Sequence, residues 1–231
     1  MAPTTPFTAF RIENDDAGYR SGLAQLGVDD LNPGQVLIRA EAIGVNFIDT
    51  YYRSGLYPAP GLPSGLGSEG AGEVEAVGSE VTRFKVGDRV AYATGPLGAY
   101  SELHVLAEEK LVHLPDGIDF EQAAAVMLKG LTVQYLLRQT YALQAGQTVL
   151  FHAAAGGVGS LACQWAKALG VRLIGTAGSP EKLEKAKANS KASGAEAVVL
   201  DAATGQVRDV YRETVKTQYE SGQGAANWRY L

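Results

Sequence analysis

A chain of 231 residues suffices for one large or two small domains, and 46% hydrophobic against 19% charged residues demands a packed core and excludes disorder. The formal net charge of −5 argues against nucleic acid or an anionic membrane as the main partner. The single cysteine, Cys163, rules out an internal disulfide framework and a four-cysteine zinc site, and its mid-helix, apolar context reads as a small buried hydrophobe. Residues 1–10 lack the basic and apolar segments of a secretory signal, and no apolar run reaches membrane-spanning length. The expected setting is reducing and cytoplasmic.

The first half reads as β-structure. Strands are expected at Gln35–Val45, after the turn Asn32-Pro33-Gly34, at Gly70–Gly78, and over Val86–Tyr92 around a Gly-Asp turn. Short strands with glycine punctuation suggest a small barrel or sandwich. Tyr51–Gly67, rich in Gly, Pro and Tyr, reads as a loop. From Phe120 the pattern changes: Glu121–Leu137 has apolar residues at helical spacing, read as two helices meeting near Lys129-Gly130, and Gly146 ends a further helical stretch. Thr148-Val149-Leu150 is a strand, Ser160–Gly170 a helix and Val171–Thr176 a second strand, which makes a βαβ unit. Ser179 caps another helix with Pro180 in its first turn, Ala197–Asp201 is a third strand, and one amphipathic helix is expected around Val207–Tyr219.

Between the first strand and helix of this unit lies Phe151-His152-Ala153-Ala154-Ala155-Gly156-Gly157-Val158-Gly159. Strand, glycine turn and helix N-terminus together bind a pyrophosphate: glycines admit the anion to the backbone, and the first helical N–H groups and the dipole meet its charge. The spacing is Ala153-x-x-Gly156-x-x-Gly159, with alanine in the first glycine position.

Several ordered segments add to this turn: Ile43–Tyr51, Arg53–Pro58, Leu66–Gly72, Val86–Val90 and Met127–Thr132. Together they resemble the zinc-free, zeta-crystallin-like quinone oxidoreductases of the medium-chain dehydrogenase/reductase superfamily, over roughly Phe10 to Lys182. The resemblance implies an α/β protein: a GroES-like β-barrel domain over 1–125, and over 126–231 an incomplete Rossmann domain, a doubly wound parallel sheet with three strands counted where about six are usual. The chain is thus expected to be C-terminally truncated relative to the family. The resemblance further implies NADPH as cofactor and a quinone as acceptor. It puts Asn46, Phe47, Ile48, Asp49, Thr50 and Tyr51 beside the nicotinamide and substrate, and makes Lys129, Thr132 and Tyr135 cofactor contacts with Gly156, Gly157, Val158 and Gly159. Asn46 and Tyr51 are the catalytic candidates; the other reading of Asn46 is that it closes a turn, and of Tyr51 that it is a packing aromatic. His152 reads as a strand-end residue with a satisfied hydrogen bond, and Trp165 as core.

No metal is expected. The zinc-dependent relatives place a cysteine where this chain has Asn46 and Gly-His-Glu where it has Gly67-Ser68-Glu69, so Glu69 reads as structural. NADPH is favoured over NADH at the end of the second Rossmann strand, Gly175-Thr176-Ala177-Gly178-Ser179, which carries no carboxylate for a ribose hydroxyl. Gly178 leaves room there, and Ser179 and Lys182 can reach a 2′-phosphate. Asp201 stands where the family commonly has a phosphate-contacting tyrosine. The same site suits an activated enone, and a truncated, non-catalytic nucleotide-binding module is the third reading. A family-type homodimer would need edge strands that are expected to be missing.

Overall fold

The computed structural model describes residues 6–15, 18–179, 181–182, 184–186, 188, 196–200 and 207–210. The chain divides into two compact units, Met1–Leu128 and Lys129–Leu231. In chain order the first unit runs β1 (Phe7–Asp15), β2 (Gly18–Leu26), β3 (Gln35–Gly44), α1 (Phe47–Ser54), β4 (Ser64–Gly65), β5 (Glu69–Val77), β6 (Arg89–Ala93), β7 (Leu103–Ala107), β8 (Leu111–His113) and the start of α2 (Phe120–Tyr135).

The strands make two antiparallel sheets, ordered β2-β1-β4 and β7-β3-β5-β6-β8, in keeping with the GroES-like expectation. β3 lies inside the larger sheet, and its Val36, Leu37 and Ile38 are all fully buried, so it carries apolar residues to both faces. The core of this unit gathers Val36, Ile38, Val74, Phe84, Val90, Tyr92, Leu106 and Leu111. The hairpin β1–β2 was not among the expected strands: its alternating Arg, Glu, Gln and Gly residues give a weak period-two signal.

The second unit holds the end of α2, a π-helical turn Leu136–Thr140, β9 (Thr148–Phe151), α3 (Gly157–Ala168), β10 (Arg172–Ala177), β11 (Glu196–Leu200) and β12 (Val207–Val210). Its sheet is ordered β12-β11-β10-β9, with β9, β10 and β11 parallel and β12 antiparallel. That is the 3-2-1 half of a dinucleotide-binding sheet, with the expected βαβ unit at β9-α3-β10. Its core includes Val133, Leu137, Leu143, Val149, Phe151, Ala162, Cys163, Ala166 and Leu173. Cys163 is 2% exposed and burial raises its thiol pKa, so it packs as a hydrophobe.

Four local expectations need correction. The loop proposed for Tyr51–Gly67 begins as helix, because Asn46 and Asp49 cap α1 and Gly55, at φ 73°, ends it. The two helices proposed over Glu121–Leu137 are one: Gly130 costs helix propensity but faces open space and breaks nothing, while Ala123, Ala124 and Val133 anchor the turns around it. Residues 141–147 are not helical; buried Leu137 and Leu143, linked from the Leu143 N–H to the Leu137 carbonyl at 3.1 Å, turn the chain, and Gly146 at φ 82° sits in the turn before β9. Val207–Val210 pairs with β11 as a strand where a helix was expected, since the β11 edge offers hydrogen bonds to a β-branched segment. Residues 211–219 of that proposed helix, and Asp201, lie outside the described residues.

Candidate functional site

The glycine turn stands where the sequence puts it. Phe151 ends β9, Gly156 caps α3, and the Ser160 N–H closes the first helical turn on the Gly156 carbonyl at 2.8 Å. The N–H groups of Gly157, Val158 and Gly159 therefore precede any intrahelical acceptor and lie at the positive end of the helix. Gly159 is irreplaceable by geometry: a Cβ there would lie 2.5 Å from the Ala153 carbonyl oxygen and 2.5 Å from Ala154 Cα. A Cβ on Gly157 would meet the Lys129 stem, 2.9 Å from Cδ, so Lys129 of α2 lies over the start of α3.

The alanine that replaces the first glycine is held at φ 54°, the left-handed region. β10 supports this strained residue. Thr176, 7% exposed, accepts from the Ala153 N–H at 3.4 Å through Oγ1 and lies 3.0 Å from His152 Nδ1, while its carbonyl accepts from the Ala154 N–H at 3.0 Å. His152 thus has the satisfied hydrogen bond expected of a strand-end residue. Thr176 was read only as a small strand-end residue; the alanine in a glycine pattern was the signal that something must brace the turn.

Past β10, Ser179 Oγ accepts from the Lys182 N–H at 3.2 Å, the expected N-cap, and Lys182 is exposed. Gly178 is exposed and a Cβ there would meet nothing within 4 Å. Thr132 is half-buried and Tyr135 is 47% exposed on the α2 surface.

In the first unit, Asn46 to Tyr51 form the start of α1, locked to the barrel by a buried polar network. The Asn46 N–H donates to Asp49 Oδ2 at 2.8 Å, and Asn46 Nδ2 donates to Glu69 Oε1 at 2.7 Å. Glu69, fully buried, also accepts from the Leu128 N–H at 2.6 Å. Asp49, 3% exposed, accepts from Tyr100 Oη at 2.7 Å and from Ser68 Oγ at 3.5 Å. Burial first, then the Asp49 carboxylate, hold the Tyr100 phenol above its ordinary pKa, so it stays a donor. Gly44 makes room for this network, since a Cβ there would fall 2.3 Å from Glu69 Oε1.

The side chains of Asn46 and Asp49 are therefore committed inward. Phe47, Ile48, Thr50 and Tyr51 carry the accessible side of α1, with Phe47 75% exposed. Phe47 packs edge-on to Tyr51 at 5.4 Å between centroids, and Tyr51 meets Tyr57 at 5.1 Å. Tyr57 was read as loop; aromatic recurrence at 47, 51, 52 and 57 was the available signal.

The donors around Asn46 do not suit zinc. The Asn46 amide nitrogen points a proton at Glu69, and both Glu69 oxygens are spent on N–H donors. Among the described residues no group of three or more His, Cys, Asp or Glu has an arrangement that holds a metal ion. Among them, too, no helix is long and apolar enough to cross a membrane.

Two family profiles match the chain: the alcohol dehydrogenase GroES-like domain over residues 32–116, and the zinc-binding dehydrogenase family over residues 157–225. A quinone oxidoreductase of Pseudomonas aeruginosa is 86% identical over 155 residues, 67% of this chain and 48% of that protein. Among solved structures, a quinone oxidoreductase of Pseudomonas syringae pv. tomato superposes with a TM-score of 0.73 at 65% identity, and an Escherichia coli quinone oxidoreductase complexed with NADPH with 0.72 at 50% identity. Each of these two matches covers 79% of this chain and 56% of the other. The chain thus spans about half the length of the curated relatives it matches.

Proposed function

We propose that the chain, similar to the quinone oxidoreductases and to the GroES-like and dehydrogenase family models above, binds NADPH and passes reducing equivalents to a quinone without a metal. The observation that carries this reading is the turn at 153–159: three N–H groups at the start of α3 and a glycine that admits no Cβ form an anion cradle. The donor set suits a diphosphate. NADPH, when bound, supplies a hydride from its nicotinamide ring.

The chain's residues have separable tasks in this proposal. Gly157, Val158 and Gly159 donate to the diphosphate, and the Lys129 ammonium adds positive charge beside Gly157. Ser179 keeps a hydroxyl proton to donate after accepting from the Lys182 N–H, and the Lys182 ammonium meets the 2′-phosphate. Thr132 and Tyr135 contact the cofactor from α2. Asn46 and Asp49 fix the first turn of α1 by spending their polar groups inward. Phe47, Tyr51 and Tyr57 offer an aromatic surface on which a planar acceptor stacks, and Tyr51 offers a hydroxyl for a proton. A quinone takes up charge readily on its own oxygens, so the reaction asks little of an acid–base pair.

The test is direct. The purified chain is titrated with NADPH, 1,4-benzoquinone is added, and the nicotinamide absorbance is followed. Oxidation above the protein-free rate supports the proposal. Binding without oxidation would leave a nucleotide-binding module, and no binding would remove the proposal altogether.

A further inference from the structure

Glu69, on β5, is fully buried and holds two separate helices with its two oxygens. Oε1 accepts from Asn46 Nδ2, at the head of α1, at 2.7 Å, and Oε2 accepts from the Leu128 N–H of α2 at 2.6 Å. All three residues belong to the first unit. The carboxylate has little room to turn. It lies against Gly44 of β3, where a Cβ would fall 2.3 Å from Oε1 and 2.2 Å from the Ala124 carbonyl oxygen.

These bonds have a direction. The Leu128 N–H is a backbone donor and cannot be reversed. The Asn46 amide has a donor end and an acceptor end, whereas a carboxylate only accepts. Glu69 therefore obliges the amide to turn Nδ2 toward it and Oδ1 away. Oδ1 then faces the Asp49 N–H as one half of the capping box, whose other half runs from the Asn46 N–H to Asp49 Oδ2 at 2.8 Å. Asp49 cannot swing to compensate for a change, because its oxygens also accept from Tyr100 Oη and Ser68 Oγ.

We propose that Glu69 is a positioning residue: by fixing the polarity of the Asn46 amide it sets the first turn of α1, and through it the Phe47–Tyr51 face on which the acceptor stacks. The consequence for the acceptor rests on the quinone-reductase reading; the consequence for α1 does not.

The test inverts the polarity and then restores it. Glu69→Gln keeps the shape, but its carbonyl must take the Leu128 N–H, so its NH2 confronts Asn46. The Asn46 amide then either opposes donor to donor or flips and withdraws Oδ1 from α1. Asn46→Asp alone sets two carboxylates face to face. Asn46→Asp combined with Glu69→Gln satisfies every group again, since one aspartate oxygen accepts from the new NH2 and the other from the Asp49 N–H.

Hydrogen exchange of the Asp49 amide, followed by NMR on the full chain without ligand, reads the cap. Glu69→Gln is expected to speed it at least about threefold. The effect is moderate because the Asp49 N–H also reaches the Asn46 carbonyl at 3.1 Å. The double variant is expected to exchange within about twofold of the parent chain. In turnover at saturating NADPH, Glu69→Gln is expected to raise the KM for 1,4-benzoquinone about three- to tenfold, with kcat and the Kd for NADPH moving less than about twofold. Unchanged exchange in Glu69→Gln, a double variant no better protected than the single ones, or a loss of kcat at unchanged KM would each overturn the proposal. Should a single variant fail to fold, a folded and protected double variant supports the pairing, and an unfolded one overturns it. A parent chain that oxidises no NADPH would remove the redox reading, and the exchange rates would still decide the role of Glu69.

Discussion

Replacing Gly157 by aspartate tests the anion cradle through charge. The new Cβ would lie 2.9 Å from Lys129 Cδ and 3.1 Å from Cε, a contact with a flexible stem that swings aside at little cost. The carboxylate then sits in the first turn of α3, where the helix dipole favours it by about 0.3–1 kcal/mol, so the fold survives. A diphosphate held by the 157–159 N–H groups would approach that carboxylate to about 5 Å. At an effective dielectric of about 20 the repulsion is about 3 kcal/mol per charge pair. Gly157 is exposed, and screening reduces this to roughly 1.5–3 kcal/mol, or roughly ten- to hundredfold in NADPH affinity. Gly157→Asn adds nearly the same volume without charge and is expected to cost only a few-fold. Calorimetric titration with NADPH, paired with thermal melting, separates binding from folding. A loss below about threefold in Gly157→Asp, with melting unchanged, would refute the reasoning.

Three further predictions follow from particular residues. Ala153→Gly is expected to stabilise the chain by about 0.5–1 kcal/mol in urea denaturation, because glycine relieves the strain at φ 54° that alanine bears; destabilisation would contradict that conformation. Burial pushes the His104 pKa down to about 4 from an ordinary 6.5, so the folded chain binds fewer protons than the unfolded chain in that window. This group therefore removes up to about 3 kcal/mol of stability as pH falls from about 6.5 to about 4; His104→Gln is expected to lose that slope, and an unchanged slope would count against it. Lys182→Ala is expected to weaken NADPH more than NADH, and equal losses would remove the 2′-phosphate role.

The parts legible in the sequence were those that local chemistry dictates. A β-branched run, three glycines and a helical period place β9, the turn and α3 within a few residues, because the steric need for Gly159 and the helix terminus are both local. α1 was half visible: Asn46 and Asp49 have capping-box spacing, but the Tyr, Pro and Gly residues after them obscured the helix. The network of Asp49, Glu69 and Tyr100 was not visible, because its bonds join positions 23 to 59 residues apart and the residue types alone do not name their partners. Glu69 as a structural residue was readable only from the missing thiolate and imidazole around it.

The measurement that bears most directly on the central claim is a crystal structure of the chain grown with NADPH. The diphosphate is expected within hydrogen-bond distance of the Gly157, Val158 and Gly159 N–H groups, with Asn46 Nδ2 still bonded to Glu69. A cofactor seated elsewhere with this turn empty, or a divalent ion bound beside Asn46, would contradict it.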